Sequence, residues 1–135
     1  MGRPIAIDSS IFIYLLEGNP EYLSLARNLF LQVQSGEFVA VLSVIGLVEI
    51  LTGPKKRGRY DIAKEYKDLI IHFPNLTVMG ISDNIVELSS NLRAKYNLAT
   101  PDAVHIASAV DFGAEKFITN DSGLARVKEI KVELL

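Results

Sequence analysis

Residues 100–121 have the sequence TPDAVHIASAVDFGAEKFITND, in which a helix and a following strand can both be recognised. Thr100 is a candidate N-cap, Pro101 suits the first helical position, and Gly113 is typical of the position just beyond a helix C-terminus. The apolar pair Phe117-Ile118 then predicts a strand. A helix that leads within a few residues into an apolar strand indicates an α/β unit.

The rest of the chain repeats this alternation. Short apolar runs predict four further strands, at residues 5–7, 38–42, 76–79 and 130–134. Apolar stripes at helical spacing predict helices between them, over residues 22–33, 60–73 and 85–96. Ser82 is a candidate N-cap for the last of these helices. Strands that are apolar throughout are typical of a parallel sheet, so we expect one α/β domain over residues 1–135 with helices on both faces of its sheet.

The composition excludes several classes of protein. Hydrophobic residues make up 49% of the 135 residues and charged residues 22%, which excludes an intrinsically disordered chain. The formal net charge is −2, so any role in nucleic-acid binding must depend on a local basic patch. The chain has no cysteine, which excludes a disulfide scaffold, a cysteine-ligated zinc site and thiol catalysis.

No segment resembles a membrane anchor or a targeting signal. The apolar run Ile11–Leu16 is too short to span a bilayer. We therefore expect a soluble, cytoplasmic protein with no membrane partner.

Two acidic residues directly follow predicted strands. Asp8 comes after Ile5-Ala6-Ile7, and Asp121 comes after Phe117-Ile118-Thr119-Asn120. Ligands of open α/β sheets bind just beyond the carboxyl ends of the strands, which favours a role in a site. Each residue also has a structural alternative: Asp8 or Ser9 could cap the next helix, and Asp121 could cap a short helix over Ser122 to Val127.

Two further acidic residues lie in predicted helices. Glu49 is surrounded by apolar residues, so its helix should be buried and its carboxylate should need a partner. A structural alternative is a Glu49 that reaches solvent or pairs with a nearby arginine. Asp102 lies in the first turn of its helix, where the helix dipole alone would favour an acid.

The four acids are more informative together than singly. If the strand ends and helices converge, carboxylates about 4 Å apart would repel by roughly 4 kcal/mol at an effective dielectric constant of 20. Such a cluster needs cations or protonated members, and oxygen ligands of this kind select Mg²⁺ or Mn²⁺. The chain has only two histidines, His72 and His105, so a histidine-rich metal site is not expected.

The order of these segments resembles the PIN domain family, and most closely the VapC-type toxins of bacterial and archaeal toxin–antitoxin pairs. The resemblance spans essentially the whole chain, and all four acidic positions of the family pattern are filled. The matching segments are Ile7-Asp8-Ser9-Ser10, Glu49 on an apolar helix, Thr100-Pro101-Asp102-Ala103 and Thr119-Asn120-Asp121.

The resemblance implies a PIN-like domain over residues 1–135, with a parallel five-stranded sheet in the order 3-2-1-4-5. The first and fourth strands are then neighbours, so Asp8 and Asp121 would meet. It also implies metal-dependent endonucleolytic cleavage of RNA, with Asp8, Glu49, Asp102 and Asp121 as catalytic and Mg²⁺- or Mn²⁺-binding residues. The implied partners are an RNA substrate, an antitoxin protein and a second copy of the chain.

Two other functions compete with this interpretation. One is a catalytically silent PIN-like module that binds RNA or protein, although such a module has no reason to aim carboxylates at phosphates. The other is a different Asp-centred metal-dependent phosphohydrolase. A dehalogenase-type phosphatase would need a second Asp where Ser10 stands, and a receiver domain would need a paired acid where Ser9 stands. No P-loop motif is present.

A cluster of basic residues follows the Glu49 helix in a segment that resembles a loop. Lys55, Lys56, Arg57 and Arg59 place four positive charges in five positions, and we expect them to bind the RNA backbone. The alternative is a solvated loop without such a role. His105 is predicted to be a solvated surface residue, on the polar side of its helix.

The segment Ile11–Leu16 is apolar on every side, although one helix can bury only part of its circumference in a small core. We therefore expect part of this segment to be covered by another chain, either a second copy in a homodimer or an antitoxin helix. The alternative is a tight core that uses all six residues.

Overall fold

A computed structural model describes residues 2–135 of the chain. These residues form six α-helices, five strands and a short 3₁₀ helix over Ser122–Arg126. The strands are β1 (Arg3–Ile7), β2 (Phe38–Ser43), β3 (Leu76–Met79), β4 (Lys116–Thr119) and β5 (Lys131–Leu134). The helices are α1 (Ser9–Glu17), α2 (Leu23–Gln34), α3 (Val44–Lys56), α4 (Tyr60–Ile71), α5 (Asp83–Tyr96) and α6 (Thr100–Phe112).

The five strands form one parallel sheet in the order β3-β2-β1-β4-β5, as expected. β1 lies at the centre, where Ile5 pairs with Ala40 of β2 and Ala6 pairs with Phe117 of β4. The backbone N–H of Asp8 donates to the carbonyl of Ile118 at 2.9 Å, which extends the β1–β4 pairing by one residue. The carboxyl ends of these two strands are therefore adjacent, at the point where the strand order reverses.

Helices cover both faces of the sheet, and each face has its own apolar core. Successive side chains of a strand point to opposite faces. Ile5 and Ile7 thus belong to one core, together with residues of α1 and α2, whereas Ala6 belongs to the other, together with residues of α5 and α6. This arrangement confirms the predicted α/β class with helices on both faces.

The predicted start of α6 and the predicted end of α3 were wrong. The N-cap of α6 is Ala99 rather than Thr100, which is already helical. α3 continues through Pro54 to Lys56, so the first two lysines of the basic cluster lie in the last helical turn rather than in a loop. Pro54 is buried, and its carbonyl accepts hydrogen bonds from the backbone N–H groups of Arg57 at 3.1 Å and Arg59 at 2.9 Å, which close the end of the helix.

α3 is also less buried than its sequence predicted. Gly46, Leu47 and Ile50 are buried, but Val48 is 57% exposed. The helix packs against α1, α4 and α6, which leaves one side open. None of the helices within residues 2–135 is long and apolar enough to cross a membrane.

Candidate metal centre

Asp8 lies where β1 ends and α1 begins. It occupies the N-cap position of α1 with extended backbone, yet its side chain makes no capping hydrogen bond. The carboxylate instead accepts hydrogen bonds from Thr119 Oγ1 at 2.7 Å and from Ser10 Oγ at 3.3 Å, both at Oδ2. The Asp8 side chain is therefore hydrogen-bonded to β4 across the carboxyl end of the sheet and does not cap α1.

Glu49 projects from the middle of α3 toward Asp8. Its Oε1 atom accepts hydrogen bonds from Ser9 Oγ at 2.9 Å and from His105 Nε2 at 2.8 Å. The hydrogen bond from His105 is the largest of the effects that lower the pKa of Glu49 below its ordinary value, and partial burial opposes it. The sequence predicted that this carboxylate needs a partner. It has two, His105 and Ser9, and neither is an arginine.

Asp102 lies in the first turn of α6 and is half-buried. Burial raises the pKa of Asp102 above its ordinary value, and the charges of Asp121, Asp8 and Glu49 raise it further, against the opposing effect of His105. Because such effects require short separations, all four acids share one region of the molecule. The crowding of like charges is the property that a bound cation would relieve.

Asp121 lies in the turn after β4 and is exposed. Its Oδ1 atom accepts a hydrogen bond from the backbone N–H of Gly123 at 2.9 Å, so it does cap the short helix that follows, as the structural alternative held. Its own backbone N–H donates to Thr119 Oγ1 at 3.1 Å, and the same hydroxyl donates to Asp8. Thr119 therefore couples the Asp121 turn to the Asp8 carboxylate.

The donor atoms of Asp8, Glu49 and His105 lie within 4.8 Å of one another, close enough to surround one ion. Besides burial, the charges of Asp121, Asp8 and Glu49 raise the pKa of Asp102, which places Asp102 near this group. Both nitrogens of the His105 imidazole are already hydrogen-bonded, so the donors that remain for an ion are carboxylate oxygens. This oxygen-rich set fits a hard divalent cation such as Mg²⁺ or Mn²⁺.

The prediction that His105 is a solvated surface residue was wrong. Its side chain is only 4% exposed, because α6 is packed between α5, α3 and the sheet and is buried continuously from Ala103 to Ala109. His105 Nδ1 lies 2.7 Å from Ser43 Oγ and Nε2 lies 2.8 Å from Glu49 Oε1. The spacing of three residues places His105 on the same side of α6 as Asp102, but its burial comes from the packing of α6 against other elements.

The predicted basic cluster is divided by the structure into two pairs. Arg57 forms a salt bridge with Glu17 at 2.8 Å, and Arg59 forms one with Asp61 at 3.1 Å. Lys55 and Lys56 form no salt bridge with any residue from 2 to 135.

Within the basic cluster, Lys56 lies on the same face of α3 as Glu49. Seven residues, or about two helical turns, separate Lys56 from Glu49. Both residues therefore lie on one face of α3, roughly 10 Å apart along its axis.

Comparison with known proteins identifies relatives of this fold. The family model of the PIN domain matches residues 5–130. No protein in the curated collection of sequences matches the chain.

Three solved structures illustrate the structural similarity. The VapBC2 complex of Rickettsia felis bound to a DNA fragment from its promoter has a TM-score of 0.77 and 18% identity, covering 97% of this chain and 98% of that one. The sarcin–ricin-loop-cleaving toxin VapC20 of Mycobacterium tuberculosis has a TM-score of 0.72 and 17% identity, covering 93% and 98%. A toxin–antitoxin complex from Klebsiella pneumoniae has a TM-score of 0.69 and 24% identity, covering 93% and 94%. At these identities the likeness shows a shared fold.

Proposed function

Since the chain belongs to the PIN domain family, we propose that it is an Mg²⁺- or Mn²⁺-dependent endoribonuclease and the toxin of a toxin–antitoxin pair. Asp8, Glu49, Asp102 and Asp121 form its catalytic and metal-binding site. The single observation that supports this most strongly is geometric: possible ligand atoms of Asp8 and Glu49, together with one of His105, lie within 4.8 Å of one another beside the carboxyl ends of β1 and β4. Without a bound cation, neighbouring carboxylates repel one another and destabilise the folded protein. A bound cation offsets this repulsion.

The proposed reaction needs carboxylates both to bind the metal and to accept a proton. Asp8 and Asp102 are direct metal ligands, at the carboxyl end of β1 and the first turn of α6. Glu49 is held at Oε1 by Ser9 and His105, and its other oxygen, Oε2, accepts no hydrogen bond from residues 2–135. When bound, the cation supplies an activated water and neutralises charge on the phosphate. One carboxylate of the cluster accepts the proton of the attacking water, in the role of general base.

The RNA backbone binds to the end of α3. Lys55, Lys56, Arg57 and Arg59 supply the positive charge, with the two lysines in the leading role because both arginines already have acidic partners. The alignment of Lys56 with Glu49 on one face of α3 supports a path that leads the RNA from the lysines to the acids.

The proposed protein partners are an antitoxin and a second copy of the chain. Solved structures with the same fold include toxin–antitoxin complexes, which supports the antitoxin. A small apolar pocket of about 60 Å³ between α1, α2 and α4 has room for one apolar side chain of such a partner. The pocket is lined by Phe12, Leu15, Leu16, Phe30, Leu69 and Phe73, among others.

A cleavage assay tests the proposed activity directly. Wild-type protein should cut single-stranded RNA in Mg²⁺ or Mn²⁺ and should be inactive in EDTA. Asp8→Asn and Asp102→Asn should each reduce the rate by at least about 100-fold, the lower end of what a lost catalytic group costs. Asp68→Asn is the matched control, because Asp68 is an exposed acid on α4 outside the acidic cluster, and it should cleave like wild type.

Cleavage by Asp8→Asn or Asp102→Asn at the wild-type rate would refute the proposed site. A folded wild-type protein that binds RNA and cuts none under any divalent cation would favour the silent PIN-like module instead.

A further inference from the structure

We propose that His105 and Ser43 are positioning residues, which orient the Glu49 carboxylate for the metal through a buried chain of hydrogen bonds. This inference deepens the proposed function and rests on it. Neither residue was among the predicted site residues. Both are almost completely buried, and both lie directly behind the acidic cluster.

The chain of hydrogen bonds begins at the N-terminus of α3. The backbone N–H of Gly46 donates to Ser43 Oγ at 3.1 Å, which makes Ser43 the N-cap of this helix. Ser43 Oγ lies 2.7 Å from His105 Nδ1, and His105 Nε2 lies 2.8 Å from Glu49 Oε1. Since an ionised carboxylate only accepts hydrogen bonds, Nε2 must carry a hydrogen and donate it to Glu49.

His105 acts on Glu49 and is not itself a ligand. A metal ligand needs a free nitrogen lone pair, and both ring nitrogens are engaged, one by Ser43 and the other by Glu49. A histidine buried to this degree with a carboxylate on one side and a hydroxyl on the other resembles the outer partners that orient metal ligands in many proteins. Here the oriented group is the carboxylate, which is otherwise a long and mobile side chain.

The packing around the ring keeps this arrangement in place. A Cβ atom built on Gly46 would lie 2.4 Å from Leu42 Cδ1, so glycine leaves room for the buried Leu42 side chain where α3 begins, and the same Cβ would meet His105 Cε1 at an ordinary contact distance of 3.5 Å. Ser43 ends β2, His105 belongs to α6 and Glu49 belongs to α3. The hydrogen bonds therefore join three elements behind the acids, and the position of the Glu49 carboxylate is fixed by all three.

Affinity for Mn²⁺, measured by titration calorimetry on the folded chain, tests this inference. His105→Leu removes the donor, and we expect it to weaken Mn²⁺ binding by about 10- to 100-fold, as the loss of an outer hydrogen-bond partner typically does. His105→Gln keeps an amide N–H in a similar place and should retain most of the affinity. His72→Leu is the matched control, since His72 is exposed at the end of α4, and it should bind like wild type.

If His105→Gln retains the Mn²⁺ affinity that His105→Leu loses, the hydrogen bond to Glu49 is what matters, rather than the packing of the side chain alone. If His105→Leu binds Mn²⁺ as tightly as wild type, or if the Gln variant is weakened as much as the Leu variant while both remain folded, the inference is overturned. Should His105→Leu fail to fold, Ser43→Ala gives the same test from the other end of the chain of hydrogen bonds. It should weaken Mn²⁺ binding in the same direction, and unchanged affinity would overturn the inference.

The same titrations distinguish this inference from the proposed function. If wild type binds Mn²⁺ with the expected pattern among the variants but cuts no RNA, the positioning role stands and the ribonuclease fails. If wild type cuts RNA and His105→Leu keeps full Mn²⁺ affinity, the ribonuclease stands and the positioning role fails.

Discussion

Among the single residues of the site, the half-buried carboxylates Glu49 and Asp102 have pKa values that are shifted in opposite directions. Hydrogen bonds from His105 and Ser9 lower the pKa of Glu49, whereas burial and neighbouring negative charges raise the pKa of Asp102. The sequence singled out Glu49 because it interrupts an apolar helix, whereas Asp102 gained weight only together with the other acids and through the resemblance to the PIN domain family. Sequence patterns could not identify His105, because its burial depends on how α6 packs against other elements rather than on its own neighbours.

Asp102→Asn should stabilise the metal-free protein while it abolishes cleavage. A carboxyl group whose folded pKa is raised favours the protonated form in the folded state, so its ionised form at neutral pH destabilises the fold. Thermal unfolding in EDTA at pH 7 should therefore show a melting temperature a few degrees higher for the Asn variant. The difference should shrink as the pH falls through the folded pKa of Asp102 and vanish below its unfolded value.

Added Mg²⁺ should reverse this ranking. Wild type gains stability from the bound ion, and the Asn variant, which lacks a ligand, gains less. An Asn variant that is less stable than wild type at pH 7 in EDTA would contradict the electrostatic account of Asp102.

Among the secondary-structure elements, the local sequence predicted the N-cap of α5 but not the C-terminus of α3. Ser82 was predicted as the N-cap of α5, and its Oγ does accept a hydrogen bond from the backbone N–H of Ile85 at 3.2 Å. The C-terminus of α3 was missed, because Gly53-Pro54 is a strong local breaker and only tertiary packing, with Pro54 buried, keeps the helix intact for one more turn.

Ser82→Ala should lower the free energy of unfolding by about 1 kcal/mol, the usual cost of losing an N-cap hydroxyl. Chemical denaturation measures it, with Ser90→Ala as the matched control on the exposed surface of the same helix. Equal losses in the two variants would mean that the cap contributes nothing of its own.

The two lysines at the end of α3 should dominate the salt dependence of RNA binding. Each phosphate contact to a single strand contributes about 0.7 to the slope of log affinity against log salt concentration. Lys55→Ala with Lys56→Ala should therefore flatten this slope by up to about 1.4 when binding is measured in EDTA. Arg57→Ala with Arg59→Ala should have a smaller effect, because these arginines are already paired.

A charge-matched control guards against a general effect of net charge. Lys128→Ala with Lys131→Ala removes two exposed lysines near β5 and should leave the slope unchanged. Unchanged affinity and an unchanged slope in the variant that lacks all four of Lys55, Lys56, Arg57 and Arg59 would favour a merely solvated segment.

At the scale of the whole molecule, the alternation of elements was sufficient to predict a parallel sheet with helices on both faces. The strand order came from the resemblance to the PIN domain family, because single-sequence patterns do not say which strands are neighbours. The unequal burial of α3 was not predictable either. Val48 is exposed on a helix that is apolar nearly all round, and its exposure depends on which sides α1, α4 and α6 cover.

The exposed apolar surface leads to a prediction about assembly. Phe12 of α1 is buried, whereas Leu15 and Leu16 are only partly covered, and Leu69 on α4 is 57% exposed. We expect a second copy or an antitoxin to cover part of this surface. Sedimentation equilibrium at micromolar concentration should give a mass above the 14.9 kDa of one chain. A monomer mass, with no partner recovered from the native host, would contradict this expectation.

We expect the acids around the carboxyl ends of β1 and β4 to bind a divalent cation. Anomalous diffraction from crystals soaked in Mn²⁺ locates such an ion without relying on activity. Anomalous density should lie within coordinating distance of Asp8 and Asp102 and beside Glu49, and it should be lost in Asp8→Asn crystals. Density found only elsewhere on the chain, or none at all in a well-soaked crystal, would show that these acids do not bind the cation.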